Sequence, residues 1–298
     1  MFKGAVFVFL GACSFGVLST FMKLSVQQYH YTIGDIVCVQ AFLGMLVLWF
    51  IATFIKKEKE VTDAAVSAAV TPVWKVMLAG ISTGLSAYLY YLGVNLLPAS
   101  VAIVILMNYT WMCLLIELLV YRKKPTPPQL VSVALVLAGT LLAGGLLNDK
   151  LLSLNLGGVT YVLCAAFVYA VSITSSGRVG NELHPIRKSA LFVTGSTIFL
   201  FILLRPGFLF DGSLFGLFGL WGLFFAVFGT IIPPIFFAVG IPRTGVGLGA
   251  IMTSAELPVA VLASSILLHE QVTAIQWGGI VLILSALILP NLKRRSAD

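Results

Sequence analysis

Long apolar stretches, separated by short polar or charged interruptions, run the whole length of the chain. A helix rises 1.5 Å per residue and needs about 20 apolar residues to cross a hydrocarbon layer about 30 Å thick. Ten stretches meet or approach that length: 4–26, 34–55, 74–95, 99–121, 128–147, 156–176, 188–204, 214–239, 244–268 and 273–290. The connections are mostly tight and leave no room for a soluble domain. The expected fold is an all-α membrane protein with ten transmembrane helices.

The two halves of the pattern echo each other. "GAVFVFLGACSFG" from Gly4 meets "GGVTYVLCAAFVY" from Gly157, and "LPASVAIVILMNYTWM" from Leu97 meets "IPRTGVGLGAIMTSAELP" from Ile241. The chain therefore divides into residues 1–149 and 150–298, with five spans in each. Five is odd, so the second copy must lie upside down relative to the first. Inverted repeats of this kind place a solute site near the bilayer midplane, between the copies. The expectation is a central cavity enclosed by two inverted five-helix repeats.

Composition agrees, with 59% hydrophobic and only 10% charged residues among 298, far from the balance of a soluble domain. The net charge of +7 does not point to nucleic acid, because Lys and Arg fall in short clusters between apolar runs. With a cytoplasmic amino terminus, the inside segments collect fifteen cations, among them Lys3, Lys75, Arg122, Lys123, Arg178, Lys188 and Arg243, while the outside loops hold only Lys150 and Arg205. That bias puts both termini inside and supports an even number of spans. The start "MFKGAVFVFLGAC" has the parts of a cleaved signal, but its apolar run continues through Val26 and reads as a retained first span. Cys13, Cys38, Cys113 and Cys164 lie apart in apolar runs, so no disulfide, metal or cofactor is expected.

One carboxylate stands out. Glu256 is the only charge between Thr244 and Leu268, at the middle of its span and two residues before Pro258. It cannot snorkel to either surface and must face the bundle interior. At helical spacing it shares a stripe with Gly249, Thr253, Ala260 and Ser264, and Gly245 with Gly249 forms a GxxxG pair suited to close helix approach. Pro258 is expected to free a carbonyl near Ser254. Glu256 is thus the candidate for substrate contact and for proton coupling, since a buried carboxyl readily takes up a proton.

Lys23, near the outer end of the first span, shares a stripe with Gly16 and Thr20 and is a candidate partner for a substrate carboxylate, with snorkelling as the alternative. Tyr88, Tyr91 and Asn95, Asn108 and Trp111, and Tyr161, Tyr169 and Ser172 recur at helical spacing as candidate cavity lining. Glu117 is expected to pair with the cationic boundary at Arg122, Asp35 to favour a helix start, and Glu270 to serve an outer turn. Pro233 and Pro234 should kink the eighth span.

An intramembrane enzyme is disfavoured. There is no HExxH or GxSxG, and His30, His184 and His269 fall in loops. A passive scaffold would not need a repeat with a polar centre.

The run "ELPVAVLASSILLHEQVTAIQWGGIVLIL", residues 256–284, with Pro258, Glu270, Gln276 and Gly278, resembles the ten-helix, EamA-type transporters of the drug/metabolite transporter superfamily. So do "NLLPASVAIVILMNYTWM" and "GACSFGVLSTFMK". The departures are Gln40, where many relatives carry Arg, and "YRKKPTPPQ", which lacks the carboxylate of the second-half turn. The resemblance implies a bacterial inner-membrane carrier that moves a small organic solute by alternating access. An exported amino acid or related metabolite comes first, ahead of an imported nucleoside- or S-adenosylmethionine-like solute or an exported cationic drug. The expected partners are the solute, the lipid bilayer and protons, with the protein a monomer or homodimer.

Overall fold

The computed structural model describes residues 2–29, 31–54, 71–97, 99–143, 155–210, 212–267 and 273–295. Its helices are α1 (Phe2–Tyr29), α2 (Ile33–Phe54), α3 (Val73–Leu96), α4 (Ala99–Leu106), α5 (Tyr109–Tyr121), α6 (Pro127–Ala143), α7 (Leu156–Arg178), α8 (Pro185–Leu204), α9 (Leu217–Phe225), α10 (Ile232–Thr244), α11 (Val246–Thr253), α12 (Glu256–Leu267) and α13 (Ala274–Arg295). No strand occurs among the described residues. Eight segments are long and apolar enough to cross a membrane, and Pro127–Leu142 and Ala274–Leu287 are two shorter apolar helices. Glu270, His269, His30 and Lys150 lie outside the described residues.

Helix starts carry the donors that a membrane leaves unsolvated. Thr32 Oγ1 donates to Asp35 Oδ2 and accepts from the Asp35 N–H at 3.1 Å, which gives Asp35 its place at the head of α2. The Gln129 side chain accepts from the Thr126 N–H at 2.9 Å, and the Gln276 side chain from the Thr273 N–H at 2.8 Å. These two caps, at the heads of α6 and α13, stand 147 residues apart.

Two of the expected continuous spans are broken. The span 99–121 divides into α4 and α5 at Met107–Asn108, and the span 244–268 into α11 and α12 at Ser254–Ala255. The second break follows from Pro258, which has no N–H to offer the Ser254 carbonyl one turn earlier. That carbonyl is not left free, as the sequence led us to expect, but accepts from the Leu257 N–H at 3.2 Å. The first break has no proline. There Asn108 Nδ2 donates to the Ile105 carbonyl at 2.8 Å and Thr110 Oγ1 to the Met107 carbonyl at 2.8 Å, side chains competing with the helical ladder. Both breaks follow an eight-residue helix, and Tyr109 and Glu256, the first residues beyond them, are again 147 apart.

The expected GxxxG pair does not form on one helix face. Gly245 ends α10 with φ +85°, a left-handed conformation that suits glycine, and α11 begins after it. The eighth span runs through Thr244 instead of ending at 239. It widens into a π-helical segment, Ala226–Ile231, just before Pro233 and Pro234, which enter α10 where their missing donors matter least.

α1 packs along α10, α3 along α7 and α8, α2 along α8, and α6 along α13. The α3–α8 crossing depends on two reciprocal glycines, since a Cβ on Gly80 would strike the Phe192 backbone and one on Gly195 the Met77 backbone. Backbone cannot give way as a flexible side chain can. We therefore expect Gly80→Ala or Gly195→Ala to lower stability by about 3 kcal/mol, read as a fall in thermal unfolding temperature in detergent. Gly278→Ala, which meets open space, should leave that temperature unchanged.

Candidate functional site

The polar side chains that the apolar pattern could not place on a surface meet in the interior. A cavity is walled by α1, α2, α3 and α4 from the first half and by α7, α8, the π segment and α12 from the second. Its polar lining includes Gln40, Thr83, Ser86, Tyr91, Tyr169, Ser196, Thr230 and Glu256.

The break between α11 and α12 makes Glu256 the first residue of α12 and directs it into this wall. It is 4% exposed, and its Oε1 has no hydrogen-bond partner among the described residues. The Tyr169 hydroxyl lies beside the carboxyl without completing a hydrogen bond. The Tyr109 ring meets the Tyr169 ring edge-on at 4.7 Å, and its hydroxyl is also without a formed hydrogen bond. Buried polar atoms are nearly always satisfied, and three of those left without a partner among the described residues gather in this one cluster.

In the same lining, Gln40 in α2 accepts the Tyr91 hydroxyl at 3.0 Å, and its backbone carbonyl accepts Thr230 Oγ1 at 2.9 Å. Both the amide and the phenol are buried. The lining thus combines one carboxyl with a hydrogen-bonded pair of uncharged groups, among aromatic rings. Such a cavity can orient a small solute with a positive group toward Glu256.

The residues expected at the site divide. Glu256, Tyr91 and Tyr169 wall the main cavity. Ser172 walls a second, adjoining cavity and shares a 2.8 Å hydrogen bond with Thr83. Thr253 is buried, with its hydroxyl on the Ala250 carbonyl at 2.8 Å. Tyr88 and Lys23 are half-buried and wall neither cavity. Asn108 and Trp111 bond each other, Trp111 Nε1 to Asn108 Oδ1 at 3.0 Å, and Trp111 faces outward. Tyr161 and Asn95 are exposed.

Gln40, Thr83, Ser86, Ser196, Thr230 and Lys188 were not read as site residues. Gln40 could have been, as the one amide inside the otherwise apolar α2. Glu117 pairs at the inner cationic boundary as expected, though not with Arg122 itself. Arg122 takes a left-handed helix cap, φ 52°, and the carboxyl binds Arg178 Nη2 at 2.5 Å, with Lys123 at 4.0 Å.

Apolar membrane-length helices around a largely apolar cavity, with a buried carboxyl at a helix break, fit a multi-pass membrane transporter. The EamA-like transporter family model matches residues 2–145 and again 156–292. The chain belongs to that family. It is 25% identical over 303 residues to the "Uncharacterized transporter YcbK" of Bacillus subtilis (strain 168), covering 97% of this chain and 94% of that protein. A solved crystal structure matches with a TM-score of 0.67 at 16% identity over 97% of each chain, a likeness of fold.

Proposed function

We propose that the protein is a secondary carrier that moves a small organic solute by alternating access, an amino acid or related metabolite before other classes, in the export direction. The observation that carries this reading is the Glu256 carboxyl, buried at a helix break in a cavity walled by both family-matched halves.

An inverted repeat is supported by recurrence. The caps at Thr126 and Thr273 and the breaks before Tyr109 and Glu256 share one 147-residue offset. The α1–α10 and α3–α7 packings exchange roles if first and sixth, and third and eighth, spans are equivalent. Taking α4 with α5, α9 with α10 and α11 with α12 as single crossings, the two shorter helices complete ten. An even count keeps both termini on one face, the cytoplasmic one by the distribution of cations.

Glu256 serves as the acceptor for a proton or for the ammonium of the solute, with Tyr169 as its neighbour and Gln40 and Tyr91 in the same lining. Lys23 takes no part in this site. A cationic drug is the second reading, favoured by Phe15, Tyr91 and Tyr169 around a single carboxyl.

The test is a thermal-shift screen of purified protein against amino acids, nucleosides and cationic drugs, followed by flux of the stabilising compounds into proteoliposomes. Stabilisation and flux by an amino acid are expected. A shift with cationic drugs alone replaces the solute class, and flux of none of the three overturns the reading.

A further inference from the structure

Lys188 was counted among the inside cations that orient the chain, yet it is buried, with 2% exposure. It stands in the first turn of α8, in the wall of a small cavity that shares Phe15, Thr83 and Tyr169 with the main one. Ser172, Ser176 and Ser189 line the same cavity. The two cavities thus follow each other along α7 and α8, with Glu256 in the wall of one and Lys188 in the wall of the other.

A buried ammonium is costly unless an anion accompanies it. Lys188 Nζ donates to the Ser176 carbonyl at 2.6 Å and to Asn181 Oδ1 at 2.7 Å, both neutral acceptors. Among the described residues no carboxylate lies within 4.0 Å of it. The acidic group whose field reaches it is Glu182, which is exposed and accepts the Thr71 N–H at 2.7 Å. An ammonium carries three donors; two are spent, and the nitrogen also lies 5.9 Å from the centre of the Phe192 ring, a weak contact that carries no full charge. The carboxyl-terminal end of α7 offsets part of the charge, because helix ends of that polarity favour cations. Neither neutral acceptor supplies the full negative charge that a buried cation calls for.

We propose that this second cavity is an anion site, in which Lys188 holds the carboxylate of the transported solute on its way to or from Glu256. An amino acid carries both complementary charges, its carboxylate for Lys188 and its ammonium for Glu256. The inference deepens the carrier reading and rests on it for its ligand, while its test does not require the solute to be known.

Ser176→Cys places a thiol in the wall beside the ammonium. In membranes open on both faces, its rate of modification is measured with anionic 2-sulfonatoethyl methanethiosulfonate and with the cationic trimethylammonium-ethyl analogue. Each rate is normalised to free cysteine, with the parent chain as the blank for the native thiols. The anionic reagent should react roughly tenfold or more faster. Lys188→Gln should abolish that preference and Lys188→Arg should keep it.

Sodium acetate should slow the labelling in the Lys188 chain while tetramethylammonium chloride does not, a readout independent of whether Lys188→Gln folds. A lysine that only ties α7 to its following turn would give no acetate protection. Equal rates, a preference for the cationic reagent, absence of labelling, or absence of acetate protection each overturns the proposal. Intact anion preference and acetate protection in a protein that moves no solute would sink the carrier reading and leave the anion site standing.

Discussion

Proteoliposomes carrying Glu256→Gln should take up or release solute at less than roughly a tenth of the wild-type initial rate, a barrier increase of at least about 1.4 kcal/mol, and should lose the response to an imposed pH gradient. Glutamine keeps nearly the shape of the side chain and both heavy-atom positions, but it cannot exchange a proton or hold a full negative charge. The residue is buried and its Oε1 lacks a hydrogen-bond partner among the described residues. An ionised carboxyl there is costly in the absence of a counter-charge. Removing its capacity for charge should therefore leave thermal stability unchanged or raised, just as flux disappears. That divergence separates a functional carboxyl from a structural one, whose replacement would cost stability and leave the pH response in place. Unchanged flux together with an unchanged pH response would refute both the proton and the substrate role.

The apolar pattern was enough to find the eight membrane-length helices among the described residues because membrane helices must be long, apolar and internally hydrogen-bonded. It could not show where two of them break. Pro258 signalled the break before Glu256, but its effect was to shift the Ser254 carbonyl onto Leu257, not to leave it open. The matching break before Tyr109 comes from Asn108 and Thr110 bonding their own backbone, a choice that spacing alone does not reveal.

The same limit governs the site. Glu256 was legible because a mid-span carboxyl has no alternative to the interior. Tyr91 and Tyr169 fell at the cavity by virtue of helical spacing, whereas Asn108 and Trp111, equally well spaced, satisfy each other toward the outside. Threonines and serines such as Thr83 and Ser196 were silent because a helix can absorb a hydroxyl on its own carbonyls anywhere. Lys188 was misread because a cation at a span end looks the same in sequence whether it reaches lipid headgroups or turns into the bundle.

Arg178→Ala should lower thermal stability more than Glu117→Gln, although the carboxyl is the deeper member of the pair. The Glu117 side chain is 4% exposed and that of Arg178 35%. Truncating Arg178 strands a buried carboxylate with only Lys123, at 4.0 Å and itself more than half exposed. It also removes the guanidinium from the Tyr121 ring, 4.5 Å away. Replacing Glu117 leaves a cation that can turn to water. Breaking a buried pair costs 3–5 kcal/mol when the remaining charge stays buried, so about 3 kcal/mol is expected for Arg178→Ala and about 1 kcal/mol for Glu117→Gln, where exposure weakens the penalty. The double variant should regain most of the difference, because it leaves no stranded charge. Urea or thermal unfolding of the three proteins in one detergent measures all three values. The reverse order, with Glu117→Gln the worse, would mean that the carboxylate is held by groups other than Arg178. The pair also joins α5 of the first half to α7 of the second, so its loss should ease separation of the halves at that end. The thiol of Ser176→Cys, two residues before Arg178, should then be labelled faster in the Arg178→Ala background than in the parent.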